Sequence, residues 1–494
     1  MNKRKLDSLL WENIIVDNFI FSGHADIKQE NLDNVFWNEV DELSVSRDDD
    51  YNISISCISY LNRYKEIKQK PKAKKQEFVP GSTVSEGRLE IKLSDRYTVT
   101  FAPMYCNGYE SKTDRTNWKL SCYRIEGKNS AKTPSAIREW ILNGNESSLF
   151  LCGNSKFEYK IEGSVWGRYG DMEFPIKESL KEQEYYGRFT HIKYKDTAFD
   201  IHFVGEQYGP SWSKNLSISY FKKYGRIPSE EERKQIRDYL SFFMGKRLLY
   251  IGETSFDENG DGVGFIMESP CTYGFDIRKI CKNGATPPID NEYASANNNF
   301  DVIQNYIDLF SELYEKLDLG SLFSAYWYAK EIAKPMDLPI LSGALENLKR
   351  KWYEEVELNP ETVLIDKKDF EKKIKPIKNL VETQFKGTEY VERMKRYVER
   401  MNCMSVSEQL THFFEGIDMI IGVKEKKALQ ARNFSAHGSF GGNNISYIEQ
   451  FRTSQVYECI IVRVILKLLK YEGNYIDYGI IGYPEKDINC PSGE

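Results

Sequence analysis

The stretch RNFSAHG, residues 432–438, sets an arginine, an amide and an imidazole within one short run. A guanidinium grips a phosphate through two parallel hydrogen bonds and stabilises charge developing on it. An amide orients a neighbour, and an imidazole titrating near neutrality moves protons. Arg432, Asn433 and His437 together suit RNA cleavage in which the ribose 2′-OH attacks the adjacent phosphorus. The nucleophile then comes from the substrate, so neither a metal nor a Ser or Cys nucleophile is needed. Spacing alone decides little, because any Arg five positions ahead of one of the chain's five histidines would supply it.

For these groups to meet, the helix carrying them must stop. Residues five apart on an ideal helix lie about 140° apart round its axis, so Arg432 and His437 do not share a face. Gly438, followed by SFGGNN, supplies the break. Arg432 then falls on the last turn, and His437 can fold back toward it across a loop. The other histidines, His24, His191, His202 and His412, read as structural or surface residues with no partner at metal-ligand spacing.

Two further stretches carry chemical potential. DENGDGVGFIME, residues 257–268, matches the twelve-residue calcium-loop pattern, with Asp257, Asn259, Asp261 and Glu268 as oxygen ligands. Yet LLYIGETSF before it reads as a strand and Pro270 follows closely, so a hairpin turn of Asn, Asp and Gly is the favoured reading. No metal and no other cofactor is expected. Between 366 and 400, eleven Lys and Arg residues mingle with seven Asp and Glu. Lys372, Lys373, Arg393 and Arg396 are candidates for an RNA-tracking face, and a solvated, salt-bridged face is the plainer reading. The lysine run YKEIKQKPKAKK, residues 64–75, reads as an exposed loop.

The elements that must position these residues follow from periodicity. At 494 residues the chain is too long for one ordinary core. From about 51 to 225, runs such as YNISISCISY, GRLEIKLSDRYTVTFAP and WKLSCYRIEG alternate in strand fashion and are rich in β-branched and aromatic residues. Pro228 and Ser229 then precede an acidic turn, predicting a helix near 229–245 with Ile236, Tyr239, Leu240, Phe243 and Met244 on its inner face. Beyond NGATPPIDNEYASANNN the period becomes helical as far as about residue 471. In SVSEQLTHFFEGIDMIIG, Val406, Leu410, Phe413, Ile417, Ile420 and Ile421 form a core face. The expected fold is α+β: a mainly antiparallel β domain over 1–295, then an all-α bundle over 296–494.

A net charge of −6 and a pI near 5.7 argue against a wholly basic nucleic-acid-binding surface, although a local patch can still hold phosphates. Nine cysteines without a CxxC pair read as reduced thiols. Asp7, Glu12 and Asp17 interrupt any signal-peptide core, and Arg463 and Lys467 break the most apolar stretch, VYECIIVRVILKLLKY. A cytoplasmic protein that does not engage a membrane is expected.

RNFSAHG resembles the R-x4-6-H signature of HEPN domains, in which a polar residue, often Asn, follows the Arg and the motif joins two helices of a bundle. LPILSGALENLKRKW, residues 338–352, is similar to the ALE-type helix of ApeA-like HEPN proteins. Their chain plan, a mainly β N-terminal domain before a C-terminal HEPN bundle, matches the change of periodicity near residue 295. The likeness is strongest over 298–472. It implies a metal-independent endoribonuclease of bacterial antiphage defence by abortive infection, with RNA as substrate, tRNA being one candidate. It implies a homodimer or higher homo-oligomer whose motifs face one another across a cleft, and a phage-derived trigger sensed by the N-terminal domain. Arg432, Asn433 and His437 take the family's active-site roles by position. Glu346 is a supporting residue that pairs with Arg432 or serves bundle packing. The alternative is a non-catalytic HEPN module that binds RNA, a nucleotide or a phage-derived partner.

Overall fold

The computed structural model describes residues 20–22, 27–30, 41–60, 87–144, 154–157, 159–161, 165–169, 172–176, 185–203, 213, 215–260, 262–290, 300–356, 365–436 and 446–494. The architecture is α+β, with a 14-stranded antiparallel sheet and, among the described residues, ten α-helices. Two compact units form. One is Met1–Pro287 with Asn291–Asn305, the other Pro288–Asp290 with Tyr306–Glu494.

In the first unit, period-two patterning sets the sheet. The strand Arg115–Asn129 buries Thr116, Trp118, Leu120, Cys122 and Ile125 while the residues between them are wetter. One edge of this strand pairs with Tyr97–Ser111. The other edge pairs first with Ile53–Tyr60 and then with Gly262–Glu268. The sheet continues through Tyr250–Phe256, Ala136–Ile141, Leu216–Phe221, Thr197–Phe203 and Tyr185–Tyr194.

Helix α1, Glu230–Met244, begins with a reciprocal cap. The Glu232 N–H donates to Ser229 Oγ at 3.2 Å and the Ser229 N–H donates to Glu232 Oε2 at 2.9 Å. It ends at Gly245, whose φ of 64° and contact with the Thr286–Pro287 backbone leave no space for a side chain. Its expected inner face, Ile236, Tyr239, Leu240, Phe243 and Met244, is buried. A short helix α2, Ile277–Lys282, follows.

Charge is buried in this unit as well. Glu139 and Glu253 are opposite one another on neighbouring strands, and both are buried. Arg233 of α1 donates to Glu139 at 3.1 Å and to Glu253 at 2.6 Å, and Arg237, one turn on, also bonds Glu139. Two facing carboxylates would repel in a dry sheet, so this guanidinium pair is a condition of the register.

The helical elements are α3 (Phe300–Lys316), α4 (Leu319–Glu331), α5 (Leu338–Glu355), α6 (Lys367–Gln384), α7 (Val391–Arg400), α8 (Val406–Gly416), α9 (Val423–Ala436) and α10 (Tyr447–Leu468). In the second unit α5 packs against α4, α8, α9 and α10, and α9 against α10. The inward stripe of α10 includes Val456, Ile460 and Val464, all buried within the chain.

One expected core face needs correction. Helix α8 stops at Gly416 instead of running to Ile421, so Ile420 falls beyond it and is 61% exposed, while Val406, at its first position, is 50% exposed. The Trp352 ring lies 2.4 Å from where a Cβ on Gly416 would stand, and Asp418 turns the chain with a φ of 54°. Close packing of α5 at this glycine and a left-handed residue just beyond it end the helix, although the apolar period continues. No helix among the described residues is long and apolar enough to cross a membrane.

Candidate functional site

Arg432 and Asn433 lie in the last two turns of α9, which ends at Ala436. His437 and the rest of 437–445 lie outside the described residues, and the side chains of Arg432 and Asn433 are likewise not described. Beyond that segment Ser446 caps α10, its Oγ accepting from the Glu449 N–H at 3.2 Å. Residues 432–436 of the RNFSAHG stretch therefore form the end of a helix that packs on α5 and α10.

The base of α9 is firmly held. Glu425, in its first turn, is fully buried. Its carboxylate bonds Arg463 of α10 and accepts from the Gly422 N–H at 3.0 Å and the Ser492 N–H at 3.1 Å. Arg463 is equally buried and donates to the Ile488 carbonyl at 3.0 Å and the Ile420 carbonyl at 3.1 Å. A charge in the apolar stretch of α10 is thus matched by one carboxylate and two carbonyls, as burial requires. In sequence Arg463 was legible only as an interruption. Its presence amid an apolar run was itself the signal that a buried acid had to exist.

Glu346 sits on α5, one of the helices packed against α9. Its carboxylate accepts from Lys349 Nζ at 2.6 Å, one turn along the same helix. Lys349 is 4% exposed and also donates to Gln409 of α8 at 3.3 Å. One further turn on, the Tyr353 hydroxyl lies 2.9 Å from His412 Nδ1 and donates to the Gln409 carbonyl at 3.0 Å. A polar seam, Glu346–Lys349–Gln409 with Tyr353–His412, therefore joins α5 to α8. Lys349 and Gln409 escaped sequence reasoning, which weighed Glu346 by itself. An i,i+3 Glu–Lys pair on a helix was the available sign.

A groove of about 1080 Å³ opens between α8 and α9. Leu410, Phe414, Met419 and Leu429 give it an apolar floor, and Thr411, Asp418, Lys426 and Gln430 a polar margin. It adjoins the helix that carries Arg432 and Asn433 within a turn of Leu429 and Gln430.

A second buried charge cluster ties α4, the start of α5 and α10 together. Glu458 bonds Lys330 at 3.3 Å and also Lys334, which reaches Asp337 at 2.8 Å. Burial opposes the charge on Lys330, but Tyr326 and Glu458 outweigh it and raise its pKa. Burial likewise works against the Glu458 carboxylate, and Lys330 and Lys334 more than offset it, holding its pKa below the ordinary value.

Residues 257–268 resolve into a hairpin turn, not a helix–loop–helix calcium site. Strands Tyr250–Phe256 and Gly262–Glu268 flank the turn, and the Gly260 N–H donates to the Asp257 carbonyl at 3.0 Å. Asp257 is held by Lys132 at 2.5 Å and Glu268 by Arg124 at 2.8 Å, while the Asn259 N–H donates to the Asp257 carboxylate. Both end carboxylates are thereby engaged by cations, Arg124 on a strand and Lys132 in the connection after it; Asp261 lies outside the described residues. Among the described residues no group of three or more His, Cys, Asp or Glu converges as a metal site would require.

Lys372 and Lys373 lie exposed on α6, and Arg393 and Arg396 exposed on α7. These two helices pack on one another, while α9 packs on α5 and α10. Comparison with protein-family models, curated proteins and solved structures returned no match.

Proposed function

We propose that this protein is a metal-independent endoribonuclease of the HEPN type, acting in antiphage defence, with Arg432, Asn433 and His437 as its active-site residues. The observation that supports the reading is that the Arg-Asn pair occupies the end of a bundle helix whose base is locked by Glu425 and Arg463. A helix end held this way offers groups that bind phosphate a fixed platform. Glu346 is the supporting acid on the adjacent α5, and Lys349 is the cation that orients it.

In this reading His437 takes the proton from the ribose 2′-OH or gives one to the leaving 5′-oxygen, and Arg432 stabilises the phosphorane-like transition state. Two copies of the chain bring two such sets together, because one set offers few groups to hold a substrate. The deciding experiment incubates purified wild-type protein and His437→Ala with cellular RNA in EDTA and sequences the ends. Cleavage with 2′,3′-cyclic phosphate and 5′-OH products, absent in His437→Ala, is the expected result. Binding of RNA without cleavage by the wild type would instead identify a non-catalytic module.

A further inference from the structure

The acids of 366–400 that form ion pairs in the folded chain do so with lysines of the same stretch, Lys378 and Lys395. Helices α6 and α7 form a hairpin in which, of the residues between 366 and 400, only Ile374 and Val398 are buried. Its base is closed by Asn402, whose side chain accepts from the Ile365 N–H at 3.0 Å and donates to the Ile365 carbonyl at 2.9 Å. On α7, Val398 turns inward. Glu399 pairs with Lys378 at 2.7 Å, and Lys395 pairs with Glu382 at 3.1 Å and Glu392 at 3.6 Å. These ion pairs engage three of the seven acids of the stretch, each with a lysine.

At about 100° per residue, Arg393, Arg396, Tyr397 and Arg400 share the face of α7 opposite Val398. All four are exposed, and among the described residues no carboxylate pairs with any of the three arginines. The Arg393 guanidinium lies 5.8 Å from the Tyr397 ring centroid, and Tyr397 and Tyr390 are 54% and 52% exposed. The stretch 366–400 carries eleven cations against seven acids in a chain of net charge −6, so the hairpin is a local cationic surface on an acidic protein. An exposed helix needs no such sorting to be soluble, since mixed charge would serve.

We infer that this hairpin is an RNA-docking arm, and that the Arg393–Arg396–Tyr397–Arg400 face takes single-stranded RNA, the arginines on phosphates and the tyrosine under a base. The inference rests on the nuclease reading for its role, as the surface that delivers substrate to the Arg432–His437 site. Arginine forks match phosphate oxygens, and an exposed ring among them gives a stacking surface that an acidic protein would leave unused. The three arginines span about 10 Å along the helix, enough for a few nucleotides of extended strand.

The test measures binding of a short fluorescein-labelled single-stranded RNA of mixed sequence to full-length His437→Ala protein across a salt series. Arg393→Gln, Arg396→Gln and Arg400→Gln combined should weaken binding about tenfold or more and lower the slope of log affinity against log salt by about 2, at ~0.7 per phosphate contact. Tyr397→Leu, with the arginines intact, should weaken it about fivefold or more. Both variants keep the wild-type circular dichroism melt, because only exposed side chains change. Unaltered affinity and slope in the triple variant overturn the inference, even if the wild type cleaves RNA. Poly-glutamate displacing the RNA at equal charge, with Tyr397→Leu without effect, also overturns it in favour of an acidic protein partner. Loss of binding in both variants upholds the docking arm even if wild-type protein leaves the RNA uncut, which would refute only the nuclease reading.

Discussion

Arg463 and Glu425 are bonded to one another with both side chains fully buried, and they join the long helix α10 to the first turn of the helix that carries Arg432 and Asn433. Arg463 also holds the Ile488 and Ile420 carbonyls, and Glu425 the Ser492 N–H, so the chain's final residues are part of the same clasp. Removing one partner strands the other charge away from water. Glu425→Gln or Arg463→Met should each cost about 3–5 kcal/mol, and the double change clearly less than the two together. Urea unfolding of the three variants measures this, and additive costs would show that the pair is not coupled.

At the candidate site, Arg432→Ala and His437→Ala should each lower RNA cleavage by about a hundredfold or more while leaving the circular dichroism melt unchanged. Arg432→Lys should recover little, because a single ammonium lacks the planar fork. Gel assays of a defined RNA read the outcome. A folded His437→Ala protein with full activity would reduce RNFSAHG to the end of a helix.

In the first unit, Arg233 stands between two carboxylates, Glu139 and Glu253, that face each other across adjacent strands. Arg233→Met should destabilise the sheet by about 3–5 kcal/mol, since it leaves both acids buried with only Arg237 nearby. Adding Glu139→Gln and Glu253→Gln should restore much of the loss. Denaturation midpoints compare the variants, and a triple variant no better than Arg233→Met would place the cost in lost packing.

His202 offers a pH handle. Burial, with Arg138 adding to it, pushes its imidazole well below the ordinary value of 6.5. A depressed folded-state pKa means that the unfolded chain binds the extra proton first. The stability contribution is whole above about pH 6.5 and falls as pH drops toward the folded-state value, by up to about 1.4 kcal/mol per pH unit. His202→Leu should flatten the fall in unfolding midpoint between pH 7 and pH 5 relative to wild type. Parallel profiles would exclude this histidine as the source.

Much of the local architecture was legible from residue types. The alternation in Arg115–Asn129, the Ser229–Glu232 cap with Gly245 closing α1, and the Asn, Asp and Gly of the 257–268 turn all act over four residues or fewer along the chain, or through its period. The Arg-Asn pair at the end of α9 was legible for the same reason. What only the tertiary structure decided are the relationships between elements. The pairing of Glu139 with Glu253 depends on strand order, and the pairing of Arg463 with Glu425 depends on which helices meet. The close approach of Trp352 to Gly416, where α8 ends, likewise depends on which helices meet. The acids between 366 and 400 looked like neutralising neighbours in sequence, yet folding α6 against α7 joins Glu382 to Lys395 and Glu399 to Lys378, Glu392 pairs with Lys395 within α7, and the arginine face is left without a paired carboxylate among the described residues. Local periodicity reports which side of an element is apolar. It carries no information on which distant residue that side will meet, because that choice is made by the packing of the whole chain.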